Sequence, residues 1–386
     1  MSRDIFTADH RAFGETVRAY VAKEIEPRLP EWSSSGRVDR AVWLSAGNLG
    51  LLAPDVDERY GGGGVADYRY HVIRNEEMAR ECALSPAFYV QGEVVAGYLA
   101  SALTTEEQKL RWLPDLCSGR KIYTIAITEP GAGSDVTGIG STARPQGDGF
   151  VLTGQKTFVT HGSIADRMIV AAHTSPPGVA RGSRSGSLFL VEFTMPGVTR
   201  GRTVAKIGLG AMDTADIFLD NVYVPRSHLI GEEGSGFLYL SRYLPRERLS
   251  IAVCALALAE RAFADTVRYS QVRATFGKVL AEHQHIRFQL AEMATSLRVA
   301  RAFTDQCITS HNLGALSGEE AAMVKLWNTE LCQDVTGRCL QLHGGYGYTA
   351  ESVVGRAFMD ARAQTIYGGT SEIMKEIIGQ SVVATD

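Results

Sequence analysis

The hydrophobic period of this chain switches twice, and those switches limit what it can fold into. From the N-terminus to about residue 121 the period is helical. Phe13, Val17 and Val21 recur every four residues with Tyr20 alongside, which makes one helical stripe. Pro27 ends that pattern. "VADYRYHVIRNEEMAREC" and "TTEEQKLRWLPDL" predict further helices, and "RYGGGG" a loop whose glycines suit backbone passing close to another group. At Lys121 the character changes. "IYTIAIT", "GFVLTGQKTFVTHG", "DRMIVAAHT", "SLFLVEF" and "TADIFLDNVYVP" are short, β-branched or aromatic, and separated by turn residues. That spacing predicts an antiparallel β domain rather than βαβ units. "TSPPGVARGSRSGS" reads as a flexible loop inside it. From about Gly231 the helical period returns. Leu249, Val253, Leu256, Phe263 and Val267 lie along one face of a long helix expected to begin near Pro245. Two more long amphipathic segments follow, as befits a four-helix bundle. The expected class is α+β, with a helical domain over 1–121, a β domain over 122–230 and a helical bundle over 231–386.

Composition removes several functions. A net charge of −4 with no Lys/Arg run argues against nucleic-acid binding. No apolar run approaches the roughly 18–20 residues that span a bilayer. The N-terminus is charged and lacks the apolar core of a secretion signal, so a cytoplasmic location is expected. Cys82, Cys117, Cys254, Cys307, Cys332 and Cys339 are scattered in mostly apolar stretches and read as buried free thiols. The histidines form no H-E-x-x-H, and His283 and His285 fall on different helix faces, so no metal site is expected.

Three glycine-rich stretches stand out. "TEPGAGSD" fails the dinucleotide fingerprint, because position 136 is Val and no helix clearly follows. It reads either as a loop rim or as a loop whose backbone amides approach a flat or anionic ligand. "QLHGGYGY" is either a helix C-cap or a sharp turn that leaves Gln341 to hydrogen-bond a ligand. In "YGGTSEI" Thr370 or Ser371 caps a following helix with Glu372 near its first turn, and such a helix start binds phosphate.

Taken together, "YTIAITEPGAGSD", "GQKTFVTHG", "RATFGKVLAEHQ", "QLHGGYGY" and "IYGGTSEI" resemble the acyl-CoA dehydrogenase family over almost the whole chain, closest in pattern to its long-chain branch. That resemblance implies a homotetramer with FAD lodged between the β domain and the C-terminal bundle. Ile125, Ile127, Thr128, Gly133 and Ser134 match the strand and loop that contact the flavin ring. Phe158 and Thr160 match its other side. Arg273, Thr275, Phe276 and Gln284 match a segment that meets adenosine and pyrophosphate across the subunit boundary. Gln341, Gly344, Gly345, Thr370 and Glu372 match further FAD contacts.

The implied reaction is α,β-dehydrogenation of an acyl-CoA thioester to trans-2-enoyl-CoA. A base removes the α-proton, the β-hydrogen leaves as hydride to flavin N5, and electrons pass to electron-transfer flavoprotein. The base needs a pKa near the working pH, the thioester carbonyl needs hydrogen-bond donors, and water must be excluded. Many family members take the base from the Glu of a Y-E-G-T motif. Here that position is Gly368, whose N–H is expected to polarise the thioester with an FAD ribose hydroxyl, Gly369 lying beside it. The resemblance moves the base to Glu247, expected in the first turn of the long helix. There the helix dipole, Arg246 and Arg248 favour the carboxylate, while burial opposes it. Glu372 is the rival base. Arg248 is expected to position the thioester or support the base, Ser134 to border the thioester, and Ser183 and Arg184 to touch CoA. Gln91 and Gly92 are candidates for the pocket floor; medium, long or branched chains fit. Other readings keep the fold but act on carrier-protein-bound acyl groups, or as an oxidase or monooxygenase in secondary metabolism, or make a non-catalytic subunit of a mixed tetramer. The intact Glu247 argues against the last.

Overall fold

The computed structural model of the chain describes residues 3–175, 182 and 184–384. The N-terminal helices are α1 (Ala8–Tyr20), α2 (Leu29–Ser35), α3 (Ala41–Asn48), α4 (Arg69–Arg80), α5 (Ala96–Ala100) and α6 (Glu106–Cys117). α1 starts on a capping box between Thr7 and His10. Its predicted stripe is real: Val17, Tyr20 and Val21 are buried, and Phe13 packs against the same core. α1 runs into a π turn, and Pro27 sits in the 3-10 turn that follows. In the glycine loop a Cβ on Gly62 would lie 2.1 Å from the Val56 carbonyl oxygen, so the chain can double back there only without a side chain.

The β domain holds β1 (Tyr123–Ala126), β2 (Thr142–Gln146), β3 (Gly149–Thr160), β4 (Arg167–His173), β5 (Gly186–Glu192), β6 (Val198–Thr203), β7 (Thr214–Pro225) and β8 (Leu229–Ile230). They form one sheet along the path β6-β7-β3-β2-β4-β5-β8, with β1 paired to β4. Most pairs are antiparallel, as the turn spacing predicts. β1–β4 and the single Thr142–His173 step are parallel. The β2–β3 hairpin intervenes between β1 and β4, so the chain re-enters the sheet in its original direction. Turn spacing records reversals but not that return. The register of β3 against β7 slips between Lys156 and Val159, a bulge that carries Thr157 and Phe158.

The C-terminal helices are α7 (Gly236–Val272), α8 (Gln284–Asn312), α9 (Gly318–His343), α10 (Val353–Gln364) and α11 (Ser371–Val383). A short hairpin of β9 (Ala274–Thr275) and β10 (Lys278–Val279) joins α7 to α8. The helical domain expected there is present, with five α-helices among the described residues. One expectation fails: α7 begins at Gly236, not near Pro245, so Pro245 and Glu247 lie well inside it. An interior proline costs about 3 kcal/mol and removes one helix hydrogen bond. Burial of Phe237 and Leu240 against Leu188, Leu190 and Ile230 offsets it, at about 1.5–3 kcal/mol per large side chain. All six cysteines are buried and free, as expected.

Candidate active site

The site is framed by a glycine loop and a helix face. Between α10 and α11, Gly368 has φ +67° and Gly369 φ +95°, left-handed conformations that favour glycine. A Cβ on Gly368 would sit 2.3 Å from Ile251 Cδ1, and one on Gly369 2.7 Å from Met374 Cε. Two cations hold the loop's carbonyls. Lys325 Nζ donates to Gly369 O at 2.7 Å, and Arg248 Nε approaches Gly368 O at 3.5 Å. Lys325 and Arg248 are both buried. Burial, with Arg248 nearby, lowers the Lys325 ammonium to about 8. Among the described residues, the N–H groups of Gly368 and Gly369 have no acceptor. Two free backbone donors beside a buried cationic wall can receive developing negative charge. Thr370 then caps α11 by accepting from Ile373 N.

Ile251, which occupies the space a side chain at 368 would need, lies one helical turn after Glu247. The i, i+4 spacing puts both on one face of α7. Glu247 is half-buried, and partial desolvation by the surrounding protein pushes its carboxyl up to about 7. The Tyr98 hydrogen bond, Arg248 and Arg246 pull it down, and Glu93 pushes it up. Its expected helix-dipole stabilisation is absent, because α7 starts more than two turns earlier. Nor is Arg246 free to neutralise it: Arg246 Nη2 binds Asp55 Oδ2 at 2.5 Å. Among the described residues the Glu247 carboxylate has no ion pair, and its hydrogen-bond partner is the Tyr98 hydroxyl at 3.2 Å.

A platform lies at the end of β1. Ile125, Ile127 and Thr128 are half-buried, and Gly133 and Ser134 are exposed on the loop beyond. An almost fully buried ion pair anchors that loop. Lys156 Nζ meets Glu129 Oε1 at 2.6 Å and Ile127 O at 3.1 Å, while Glu129 accepts the N–H groups of Gly140 and Ser141. Thr157 N binds Thr128 O at 2.9 Å, tying the β3 bulge to the platform. The bulge leaves Phe158 at φ +55° and 62 % exposed, a large aromatic held out of the core on strained backbone. Thr160, half-buried, takes a hydrogen bond from Thr124 on its carbonyl.

A separate open recess of about 570 Å³ brings together Arg273, Thr275, Gln341, Gly344 and Gly345, with Tyr269 and Tyr346. The Arg273 guanidinium lies 5.9 Å from the Tyr346 ring centroid. Nothing occupies the space beside the missing side chains of Gly344 and Gly345. Phe276 stands at the tip of the β9–β10 hairpin, 93 % exposed, and Gln284 starts α8; neither lines this recess. Thr370 and Glu372 line another hollow with Glu330, Gln333 and Arg362. The Glu372 carboxylate is exposed and held below its usual range by backbone and Thr370 hydrogen bonds, as suits a helix-start acid. Arg184 is exposed, and Ser183 lies outside the described residues.

Gln91 and Gly92 are packing residues, not a pocket floor. Gln91 is buried, donates to Leu116 O at 2.8 Å and accepts from Tyr123 N at 3.0 Å, clipping α6 to β1. A Cβ on Gly92 would overlap the Leu52 carbonyl. Four features escaped the sequence: Tyr98, Ile251, Lys325 and the Lys156–Glu129 pair. Ile251 had a signal in its i+4 spacing from Glu247, and Lys325 one as a lone lysine in apolar "AAMVKLW". Tyr98 and Glu247 are 149 residues apart and had none.

Three family models match the chain: the acyl-CoA dehydrogenase N-terminal domain over residues 7–120, the middle domain over 124–222 and the C-terminal domain over 234–383. The mitochondrial long-chain specific acyl-CoA dehydrogenase of Sus scrofa is 42% identical over 99% of this chain and 88% of its own. The crystal structure of an acyl-CoA dehydrogenase from Geobacillus kaustophilus superposes with a TM-score of 0.96 at 40% identity, covering 99% of this chain and 100% of that one. A glutaryl-CoA dehydrogenase from Mycobacterium smegmatis, solved in complex with FADH2, superposes with a TM-score of 0.91 at 27% identity, covering 99% and 96%.

Proposed function

The chain belongs to the acyl-CoA dehydrogenase family, whose members are FAD-dependent oxidoreductases acting on acyl-CoA, and from that premise we propose the residues and steps of its reaction. The donor set fits FAD. The half-buried face of β1 and the out-turned Phe158 offer a flat apolar platform, and Arg273 beside two open glycines offers a cradle for phosphates. On this reading Ile125, Ile127, Thr128, Gly133, Ser134, Phe158 and Thr160 hold the ring. Arg273, Thr275, Gln341, Gly344 and Gly345 hold the adenosine end, with Phe276 and Gln284 in the same hairpin region and Thr370 and Glu372 at the start of α11. When bound, FAD supplies the hydride acceptor.

The chain's own residues do the rest. The free N–H of Gly368 takes the thioester oxygen, and the carbonyls of Gly368 and Gly369, held by Arg248 and Lys325, keep the loop in place. Glu247 takes the α-proton from the helix face. Its carboxyl, raised by burial, matches a proton acceptor working near neutrality. Ser134 borders the thioester, and Ser183 and Arg184 meet CoA. We place the domain limits at 1–121, 122–230 and 231–386. Medium, long or branched acyl chains are the expected substrates, electron-transfer flavoprotein the expected acceptor, and a homotetramer in the cytoplasm the expected form.

The observation that carries this reading is the exchange between two walls. Ile251 fills the space a side chain at position 368 would take, and a carboxylate stands one turn away on the same helix. The test mixes FAD-loaded wild type and Glu247→Gln anaerobically with butyryl- to palmitoyl-CoA and follows flavin bleaching. Wild type is expected to bleach, and Glu247→Gln to bind substrate and stay yellow. A variant that bleaches at the wild-type rate removes Glu247 from the role. Failure of wild type with every acyl-CoA redirects the site to carrier-protein-bound acyl groups or another flavin reaction.

A further inference from the structure

Glu247 has one hydrogen-bond donor within the described residues, and it comes from the other helical domain. Tyr98, on α5, is fully buried, and its hydroxyl donates to Glu247 Oε1 at 3.2 Å. Its ring lies against Tyr243 of α7, with centroids 4.6 Å apart. The other polar groups around Glu247 are already engaged. On its own helix, Arg246 is tied to Asp55, and Arg248 faces the Gly368 carbonyl. From the π turn before α5, Glu93 is bound by Arg74, Asn75 and Ser250. From α4, the His71 ring lies 2.8 Å from Asp55 and 3.8 Å from Glu93, and Tyr68 binds Ser250. From α8, His311 is half-buried with its ring against Tyr68, and desolvation lowers it to about 4. From α9, Lys325 is committed to Gly369. Apart from His311, which packs on the Tyr68 ring, each of these groups has a nearer polar partner than the Glu247 carboxylate.

We infer that Tyr98 is the positioning residue of the base: its phenol O–H fixes the Glu247 carboxylate in orientation and favours its ionised form. The inference rests on the reading of Glu247 as proton acceptor. A hydrogen bond donated to a carboxylate stabilises the charged state, and more strongly where the surrounding protein partly desolvates it. Tyr98 keeps its own proton throughout, because burial and the adjacent carboxylate raise its phenol well above the ordinary tyrosine value. It therefore remains a donor across the working pH range and takes no part in the proton transfer itself.

Replacing the hydroxyl while keeping the ring isolates this role. Tyr98→Phe retains the tilted ring contact with Tyr243 and deletes only the donor. The measurement is the pH profile of anaerobic flavin bleaching by a saturating acyl-CoA, on FAD-loaded protein, with Glu247→Gln alongside. The acid limb of Tyr98→Phe is expected to move to higher pH by about half a unit or more. Site-specific replacement of Tyr98 by 3-fluorotyrosine makes the phenol a stronger donor and is expected to move the limb the other way. A general loss of stability would lower the amplitude without moving the limb in opposite directions in the two variants. If Glu247→Gln stays yellow but both Tyr98 profiles overlay wild type, the positioning role is overturned. Bleaching by Glu247→Gln at the wild-type rate removes the reading beneath it instead, a different signature.

Discussion

The two walls of the site are built on opposite principles. The loop at Gly368–Gly369 contributes backbone. It has left-handed glycines whose Cβ positions meet the ends of Ile251 and Met374 and, among the described residues, two unbonded N–H groups, and buried cations hold its carbonyls. The α7 face contributes side chains: a carboxylate, the isoleucine that closes the space beside Gly368, and a tyrosine ring that meets Tyr98 from the N-terminal domain. Backbone donors cannot titrate, so the loop's pH dependence enters only through Lys325, whose ammonium, lowered to about 8, holds the Gly369 carbonyl. The helix face carries the titrating group, and its working pH is set by burial. The wall that binds and the wall that reacts are thus separately tunable.

Four experiments break or sharpen that contrast. Glu247→Gln removes the only function the helix face is assigned, and flavin reduction should fall by about a hundredfold to ten-thousandfold, as for loss of a general base. Gly368→Glu in that background should not restore it. The left-handed φ costs a non-glycine residue about 1–2 kcal/mol, and the added Cβ meets Ile251. A lowered Tm without recovered bleaching is expected, and recovered rate would show the two walls to be interchangeable. The pH dependence should separate the walls directly. With the Glu247 carboxyl near 7, the ionised fraction climbs about tenfold between pH 6 and 8. Bleaching should rise with pH over that window, because only the deprotonated form accepts a proton, while substrate affinity through the loop stays level until Lys325 begins to lose its charge near pH 8. A flat rate from pH 5 to 9 would falsify the assignment. Lys325→Met, the mildest change, frees the Gly369 carbonyl and should weaken the thioester contact by about three- to tenfold in kcat/KM, the size of one ordinary hydrogen bond acting through the loop. An unchanged kcat/KM would show the loop to be rigid without that cation.

Much of this was legible in the chain. The stripe of Phe13, Val17 and Val21, the turn-separated β runs and the long amphipathic helices follow from period alone, since each buries one face of a regular element. Pro245 misled because its local preference for a helix start yields to packing of Phe237 and Leu240 on the sheet. The first-turn electrostatics expected for Glu247 failed with it. Gln91 and Gly92 misled because polar and small residues in an apolar stretch suit a pocket and a close backbone approach equally; Gln91 clips α6 to β1, and Gly92 passes the Leu52 carbonyl.

By itself the sequence determined the three-part order of helices, sheet and helices and the glycine loops, while the link between Glu247 and the Y-G-G-T segment came from the family resemblance. The order and the loops depend on residue type and spacing within one element, where neighbours along the chain are neighbours in space. Tertiary structure alone decided that Ile251 closes the space at Gly368, that Lys325 and Arg248 hold the loop, that Arg246 is tied to Asp55, and that Tyr98 meets Glu247 across 149 residues. Those contacts join elements from different parts of the chain, and so does the desolvation that moves the Glu247 carboxyl; burial is a property of what packs around a residue, which no local pattern specifies.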